Sequence, residues 1–146
     1  MSLSADLREF IGLLNSHCVE YVIVGAHSLA FHGRPRYTGD LDILVRPSLE
    51  NADRIAAVLI EFGFADSGFK PSDFFEPDQM IQLGRIPNRI DLLTGMTGVA
   101  TNEAFEKKIA AKLEGLPVYM LSKDLLIQNK RAVARPQDLA DLEALM

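Results

Sequence analysis

Between Glu20 and Val45 the chain changes its period repeatedly, with a glycine at each boundary. "EYVIVG" is a short apolar run of strand type that stops at Gly25, and "AHSLAFHG" is a brief helical segment stopped by Gly33. "RPRYTG" is a loop ending at Gly39, and "DLDILV" is a second apolar strand. A strand that turns at glycine into a helix and returns to a strand belongs in a layered α/β arrangement, since neither element can bury its apolar face alone.

The flanking segments agree. Ser4 to His17 reads as a helix with Ser4 as N-cap, Asp6 in the first turn, and Leu7, Phe10, Ile11 and Leu14 at helical spacing. Ser48 opens a second helix whose Ile55, Val58, Leu59 and Phe62 share a face and which ends at Gly63. Residues 65–78 are rich in turn formers and read as a mobile loop with exposed aromatics, a candidate lid. "QMIQLGRIPNRIDLLTG" and "KKIAAKLEGLPVYML" each read as a hairpin, the first around Gly84 and Arg85, the second around Glu114 and Gly115. A short helix over 102–106 stands between them. Two helices close the chain, opened by Ser122 and by Pro136. The expected fold is α/β (α+β): a mixed sheet flanked by helices, with a C-terminal helical pair from about residue 122. At 146 residues, without repeat or linker, residues 1–146 are expected to form one domain.

Composition narrows the function. A net charge of −5 lacks the global basic field of a non-specific nucleic-acid binder. No apolar run approaches the roughly 20 residues that span a bilayer, and the N-terminus has no basic stretch of secretory type. The single cysteine, Cys18, fits a reducing compartment and reads as a small buried hydrophobe. The expected location is cytoplasmic, without membrane contact.

The chemistry concentrates on aspartates. Asp40 and Asp42 lie one residue apart on a strand, so both project from one face while Leu41 and Ile43 take the other. Two carboxylates about 4 Å apart repel by roughly 4 kcal/mol at an effective dielectric near 20. They coexist if one is protonated, if both are well solvated, or if a cation neutralises them. Mg²⁺ suits the last option. Asp91, flanked by Ile90 and Leu92, adds a third carboxylate if its strand lies beside the first. Strand-end aspartates also sit in turns or cap helices, so the pair alone is weak evidence. Gly25 adds to it, because a strand-to-helix turn presents backbone N–H groups to an anion, and Ser28 lies one turn further on. Neither a dinucleotide-binding fingerprint nor a P-loop is present.

Together "YVIVGAHSLAFHGRPRYTGDLDILV", "IDLLTGMTGVA" and "LSKDLLIQNKRAVARPQDLADLEAL" resemble, in order, three blocks of the nucleotidyltransferases of the DNA polymerase β superfamily. The likeness is closest to the small AbiEii/AbiGii toxin-type members, and it covers nearly the whole chain. The resemblance implies that Gly25 and Ala26 begin the turn receiving an NTP triphosphate; the family usually has Gly-Gly or Gly-Ser there, and Ala26 keeps the N–H. It implies that Asp40, Asp42 and Asp91 bind Mg²⁺ (or Mn²⁺), with Asp91 helping to activate an attacking hydroxyl. The implied reaction moves a nucleoside monophosphate to a hydroxyl of RNA (tRNA-like) or protein and releases pyrophosphate. A partner protein of a toxin–antitoxin or defence pair follows from the same likeness. The alternative is a nucleotide-binding or catalytically silent regulatory module acting through such a partner.

Arg36, separated from Asp40 by three residues, is the better phosphate ligand of Arg34 and Arg36. Lys130 is the nucleotide-binding candidate of the cluster Lys130, Arg131 and Arg135, although Asp138 and Asp141 lie near enough to pair with some of it. His27 and His32, five apart, read as packing or polar groups and not as metal ligands. Phe74 and Phe75 either stack on a base or pin their loop to the core.

Overall fold

The computed structural model describes residues 4–33, 40–64, 68–84 and 89–146. In chain order these form α1 (Ala5–Ser16), β1 (Tyr21–Val24), α2 (Gly25–Phe31), β2 (Leu41–Val45), α3 (Leu49–Phe62), β3 (Met80–Leu83), β4 (Ile90–Leu93), α4 (Thr101–Glu106), β5 (Ile109–Leu113), β6 (Leu116–Met120), α5 (Lys123–Val133) and α6 (Pro136–Leu145). The six strands make one mixed sheet in the order β3-β4-β2-β1-β6-β5. β2 runs parallel to β4 and β1 parallel to β6, while the β1–β2, β3–β4 and β5–β6 neighbours are antiparallel.

Alternation along the strands divides the core in two. Tyr21, Ile23, Leu41, Ile43 and Leu92 face the apolar sides of α1 and α3, where Phe10, Ile11, Leu14, Ile55 and Val58 are fully buried. Val22, Val24 and Leu44 face the other way, onto Leu29 of α2, Phe105 of α4 and Leu125 of α5. The helix starts follow their caps: Ser4, Ser48 and Ser122 each accept a hydrogen bond from the backbone N–H three residues on, at 3.2–3.3 Å. Both expected hairpins form, and so do the paired C-terminal helices.

Two expectations need correction. Residues 68–78 are no loose loop of exposed aromatics: Pro71–Phe74 form a 3₁₀ turn, Phe74 is fully buried, and Phe69 and Phe75 pack on the same core. Thr94 on the far side of β4 holds the end of this segment, accepting from the Gln79 N–H and donating to the Glu76 carbonyl at 2.7 Å each. Residues 65–67 lie outside the described residues. Cys18 is exposed, because the backbone turns left-handed there (φ +56°) just after α1 and passes the buried position to Val19. Among the described residues no helix is long and apolar enough to cross a membrane.

Candidate functional site

Register brings the acids together. Val24 of β1 pairs with Asp42 of β2, Asp42 with Asp91 of β4, and Asp91 with Gln82 of β3. One cross-strand row therefore carries two carboxylates side by side, on the face of the sheet that α2 and α5 cover. Below it the Leu44–Leu93–Met80 row is apolar. Asp40 stands just ahead of β2, where the ladder continues: the Leu41 N–H donates to the Arg89 carbonyl at 2.9 Å.

Asp42 and Asp91 touch. Burial above all, then the charge of Asp91 and a hydrogen bond with it, and then the charge of Asp40, push the Asp42 carboxyl up to about 7, against the pull of Arg89. Burial and a like charge both favour the neutral form of the Asp42 carboxyl. Arg89 supplies the local positive charge. Its Nε donates to Asp91 Oδ1 at 3.1 Å, and its Nη2 donates to Asp91 Oδ2 at 3.3 Å and to Asp40 Oδ2 at 3.0 Å. Asp91, with the hydrogen bonds it accepts, foremost raises the Arg89 pKa, and Asp40 and Asp42 add to it.

Gly25 explains how Asp42 fits beside the turn. Gly25 has φ +69°, and a Cβ there would lie 2.9 Å from Asp42 Cγ and 3.0 Å from its Cβ, with the carboxylate oxygen closer still. Any side chain at 25 would push Asp42 aside.

Outside this contact lies a cleft of about 410 Å³, lined by Gly25, Asp42, Met80, Leu93, Met96, Asn129 and Arg135 among others. Among the described residues that line it, Asp42 is the acidic group and Arg135 the basic one. The Arg135 side chain is 70% exposed, yet its guanidinium is held by Asp138, with Nε donating to Oδ2 at 2.7 Å and Nη2 to Oδ1 at 3.2 Å. Those bonds, with help from Lys130, bring Asp138 down to about 2.

Of the sequence-designated residues, Gly25, Asp40, Asp42 and Asp91 come together. Ala26 is next to Gly25 and half-buried, outside the cleft lining. Ser28 is fully buried, and its hydroxyl has no hydrogen-bond partner among the described residues. Lys130 is not brought to the cleft: its Nζ is buried between α5 and α6, 3.2 Å from Asp138 Oδ1 and 3.1 Å from Asp141 Oδ2. Two buried carboxylates hold it inside, and Arg135 takes the cleft-facing position. Arg34 and Arg36 lie outside the described residues. His27 is buried, bonded to the Asp40 backbone, its pKa lowered chiefly by burial, and its Nε2 has no partner among the described residues. His32 Nε2 bonds to the Leu121 carbonyl at 2.6 Å.

Sequence reasoning passed over Arg89. The signal was there: Arg89 precedes Asp91 by two, and residues two apart on a strand share a face.

The donor set is right for a hard divalent cation, being carboxylate oxygens on neighbouring strands. As the side chains stand, no three His, Cys, Asp or Glu among the described residues are grouped to hold one.

No family model matches the chain, and no curated protein matches it. Solved structures do. A Thermotoga maritima protein assigned as a nucleotidyltransferase, TM1012, superposes with TM-score 0.63 at 18% identity, over 94% of this chain and 88% of that one. The lincosamide antibiotic adenylyltransferase LnuA, bound to lincomycin, gives TM-score 0.63 at 14% identity over 99% and 98%. The antibiotic-resistance factor ANT(2'')-Ia gives 0.57 at 11% over 96% and 78%. At such identities the likeness is one of fold: this chain has the mixed sheet and flanking helices of the nucleotidyltransferase fold.

Proposed function

We propose that the chain is a metal-dependent nucleotidyltransferase that moves a nucleoside monophosphate from an NTP to an acceptor hydroxyl and releases pyrophosphate. The observation that carries this reading is the row of carboxylates on β2 and β4, set against a side-chain-free Gly25 at the mouth of a cleft, within a fold shared with nucleotidyltransferases. Asp40, Asp42 and Asp91 are the residues that would hold Mg²⁺ or Mn²⁺. When bound, such an ion supplies positive charge to the phosphoryl oxygens and lowers the pKa of a coordinated hydroxyl.

The chain's own groups do the rest. The turn at Gly25 offers backbone N–H groups to the triphosphate. Arg135, held by Asp138, offers a guanidinium from the cleft lining. Asp91 accepts the proton of the acceptor hydroxyl as the new oxygen–phosphorus bond forms at the α-phosphorus and the bond to pyrophosphate breaks. Met80, Leu93 and Met96 give the cleft an apolar wall for a base or an acceptor.

The acceptor we propose is a hydroxyl of RNA, at a tRNA-like end, or of a protein. Kinship with the AbiEii/AbiGii group, and a partner protein of a toxin–antitoxin or defence pair, belong to the same proposal, as does a cytoplasmic location. LnuA is a lincosamide antibiotic adenylyltransferase, and its likeness in fold supports transfer of a nucleoside monophosphate.

The test is thermal unfolding with each NTP, with and without Mg²⁺, for the wild type and Asp42→Asn. Ligand at about 100 times Kd stabilises by about 2.7 kcal/mol, which for a domain of this size raises Tm by about 5–10 °C. A Mg²⁺-dependent rise in the wild type that disappears in Asp42→Asn is expected. No rise with any NTP refutes the reading and leaves the partner-dependent regulatory module in its place.

A further inference from the structure

Arg89 is the cation already in this site. Three of its hydrogen bonds go to the carboxylates assigned above to a divalent ion, using both oxygens of Asp91 and one of Asp40. Its side chain is 30% exposed and that of Asp91 only 7%. A planar guanidinium with five N–H donors spans two carboxylates in a way a lysine cannot. While it does so, Asp40 and Asp91 turn their oxygens toward Arg89, and Asp42 bonds to Asp91. That arrangement accounts for why three acids lie on adjacent strands without forming a three-ligand group.

A divalent ion needs the same lone pairs, and it would stand beside a like charge if Arg89 kept its place. We infer that Arg89 is a resident counter-cation which the metal must displace from Asp40 and Asp91 in order to bind. This inference rests on the metal-dependent reading given above and deepens it. In the metal-free protein Arg89 holds the acids together against their mutual repulsion. The same contacts then set a threshold for the ion, so that Arg89 weakens metal binding while stabilising the empty site. A merely structural salt bridge would do only the second.

The two roles separate in a metal titration without nucleotide. Mn²⁺ binding to the intact chain is followed by the loss of the free-ion spin-resonance signal, at fixed pH near 7.5 and low salt. The proteins are the wild type, Arg89→Met, Arg89→Lys and Asp42→Asn. Arg89→Met is expected to bind Mn²⁺ about tenfold more tightly than the wild type, and Arg89→Lys, which keeps the charge but not the fork, to fall between. In thermal unfolding, Arg89→Met should melt lower than the wild type in chelator and gain more from Mn²⁺. Unchanged or weaker Mn²⁺ binding in a folded Arg89→Met, with the wild type binding normally, overturns the inference and leaves the metal-dependent reading intact. If Arg89→Met does not fold, Arg89→Lys decides: affinity equal to or below wild type overturns the inference. If neither the wild type nor any Arg89 variant binds Mn²⁺ at millimolar concentration, the metal site itself falls and the inference with it.

Discussion

Gly25→Ala tests the tightest contact in the site. Two costs can be read from the structure. At φ +69° an alanine adopts a left-handed backbone, which costs roughly 1–2 kcal/mol. Its Cβ also arrives within 3.0 Å of the Asp42 Cβ and Cγ, so Asp42 must leave its rotamer at a further cost of about 0.5–1.5 kcal/mol. Together these lower stability by about 2–3 kcal/mol and Tm by about 4–12 °C. Gly115→Ala is the control, since Gly115 has φ +83° in the β5–β6 turn but open space where a Cβ would go; it should pay the first cost alone. Urea unfolding of Gly25→Ala, Asp42→Ala and the double variant isolates the second cost. In the Asp42→Ala background the carboxyl contacts are gone and only the Cβ contact at 3.0 Å remains, so the cycle should show a coupling of about 0.5–1.5 kcal/mol. The Mg²⁺-dependent response to NTP should be lost in Gly25→Ala and kept in Gly115→Ala. A cycle that closes to within about 0.3 kcal/mol would refute the packing of Asp42 on Gly25, and with it the reason for a glycine at that turn.

Other measurements probe separate parts of the molecule. Burial and the neighbouring acids push the Asp42 carboxyl up to about 7, well above the usual carboxylate range, so its contribution to stability is fully present below the unfolded value and is lost as pH rises toward 7. Stability from urea unfolding should therefore fall between pH 4 and pH 7 by up to about 1.4 kcal/mol per pH unit more in the wild type than in Asp42→Asn; equal slopes would count against the burial of the Asp42 carboxyl beside Asp91. Lys130→Met leaves Asp138 and Asp141 buried without their ammonium partner and should cost about 3–5 kcal/mol, part of it recovered by adding Asp141→Asn. A stable Lys130→Met that binds NTP poorly would instead return Lys130 to the nucleotide site. Phe74→Ala should cost about 3–5 kcal/mol in chemical denaturation, because the side chain is fully buried; a loss under about 1 kcal/mol would mean that the 68–78 segment is not anchored by it.

What could be read from the chain and what could not divides along one physical line. Gly25, Asp40, Asp42 and Asp91 were legible because strand alternation and a glycine at a change of period are local properties. The hairpins and helix starts were legible for the same reason, through Gly115 and the serine caps. The adjacency of β2 and β4, which puts Asp42 beside Asp91, depends on pairing across some fifty residues and could be stated only as a condition. Which side chains lose water was harder to read. Lys130 could be paired or ligand-binding, and the packing of α5 on α6 closes Asp138 and Asp141 over it. Of the two readings of Phe74, the one that pins its loop to the core is found, whereas Cys18, small and apolar, is turned outward by a left-handed backbone. Strand alternation puts Arg89 on the face of Asp91, but only the fold brings Asp40 within its reach.

Charge bookkeeping across the cleft leads to one more test. Among the described residues, Arg89 is the guanidinium that Asp40 and Asp91 bond, and Asp42 and Arg135 both line the cleft. A triphosphate approaching the acids meets net repulsion from an electronegative row set in a partly buried sheet, where screening by salt is weaker than in water. A divalent ion reverses the sign of that encounter. Nucleotide and metal must then strengthen each other, and by linkage the factor is the same whichever is added first. Neutralising one acid acts on both halves of this balance. In Asp42→Asn, ATP binding measured by calorimetry in chelator should be as tight as in the wild type or tighter, because a repelling charge is gone. The gain on adding Mg²⁺, expected at tenfold or more in the wild type, about 1.4 kcal/mol, should largely vanish. If Asp42→Asn instead lost ATP affinity in chelator and kept the full Mg²⁺ gain, Asp42 would be a direct nucleotide contact and the metal would bind elsewhere.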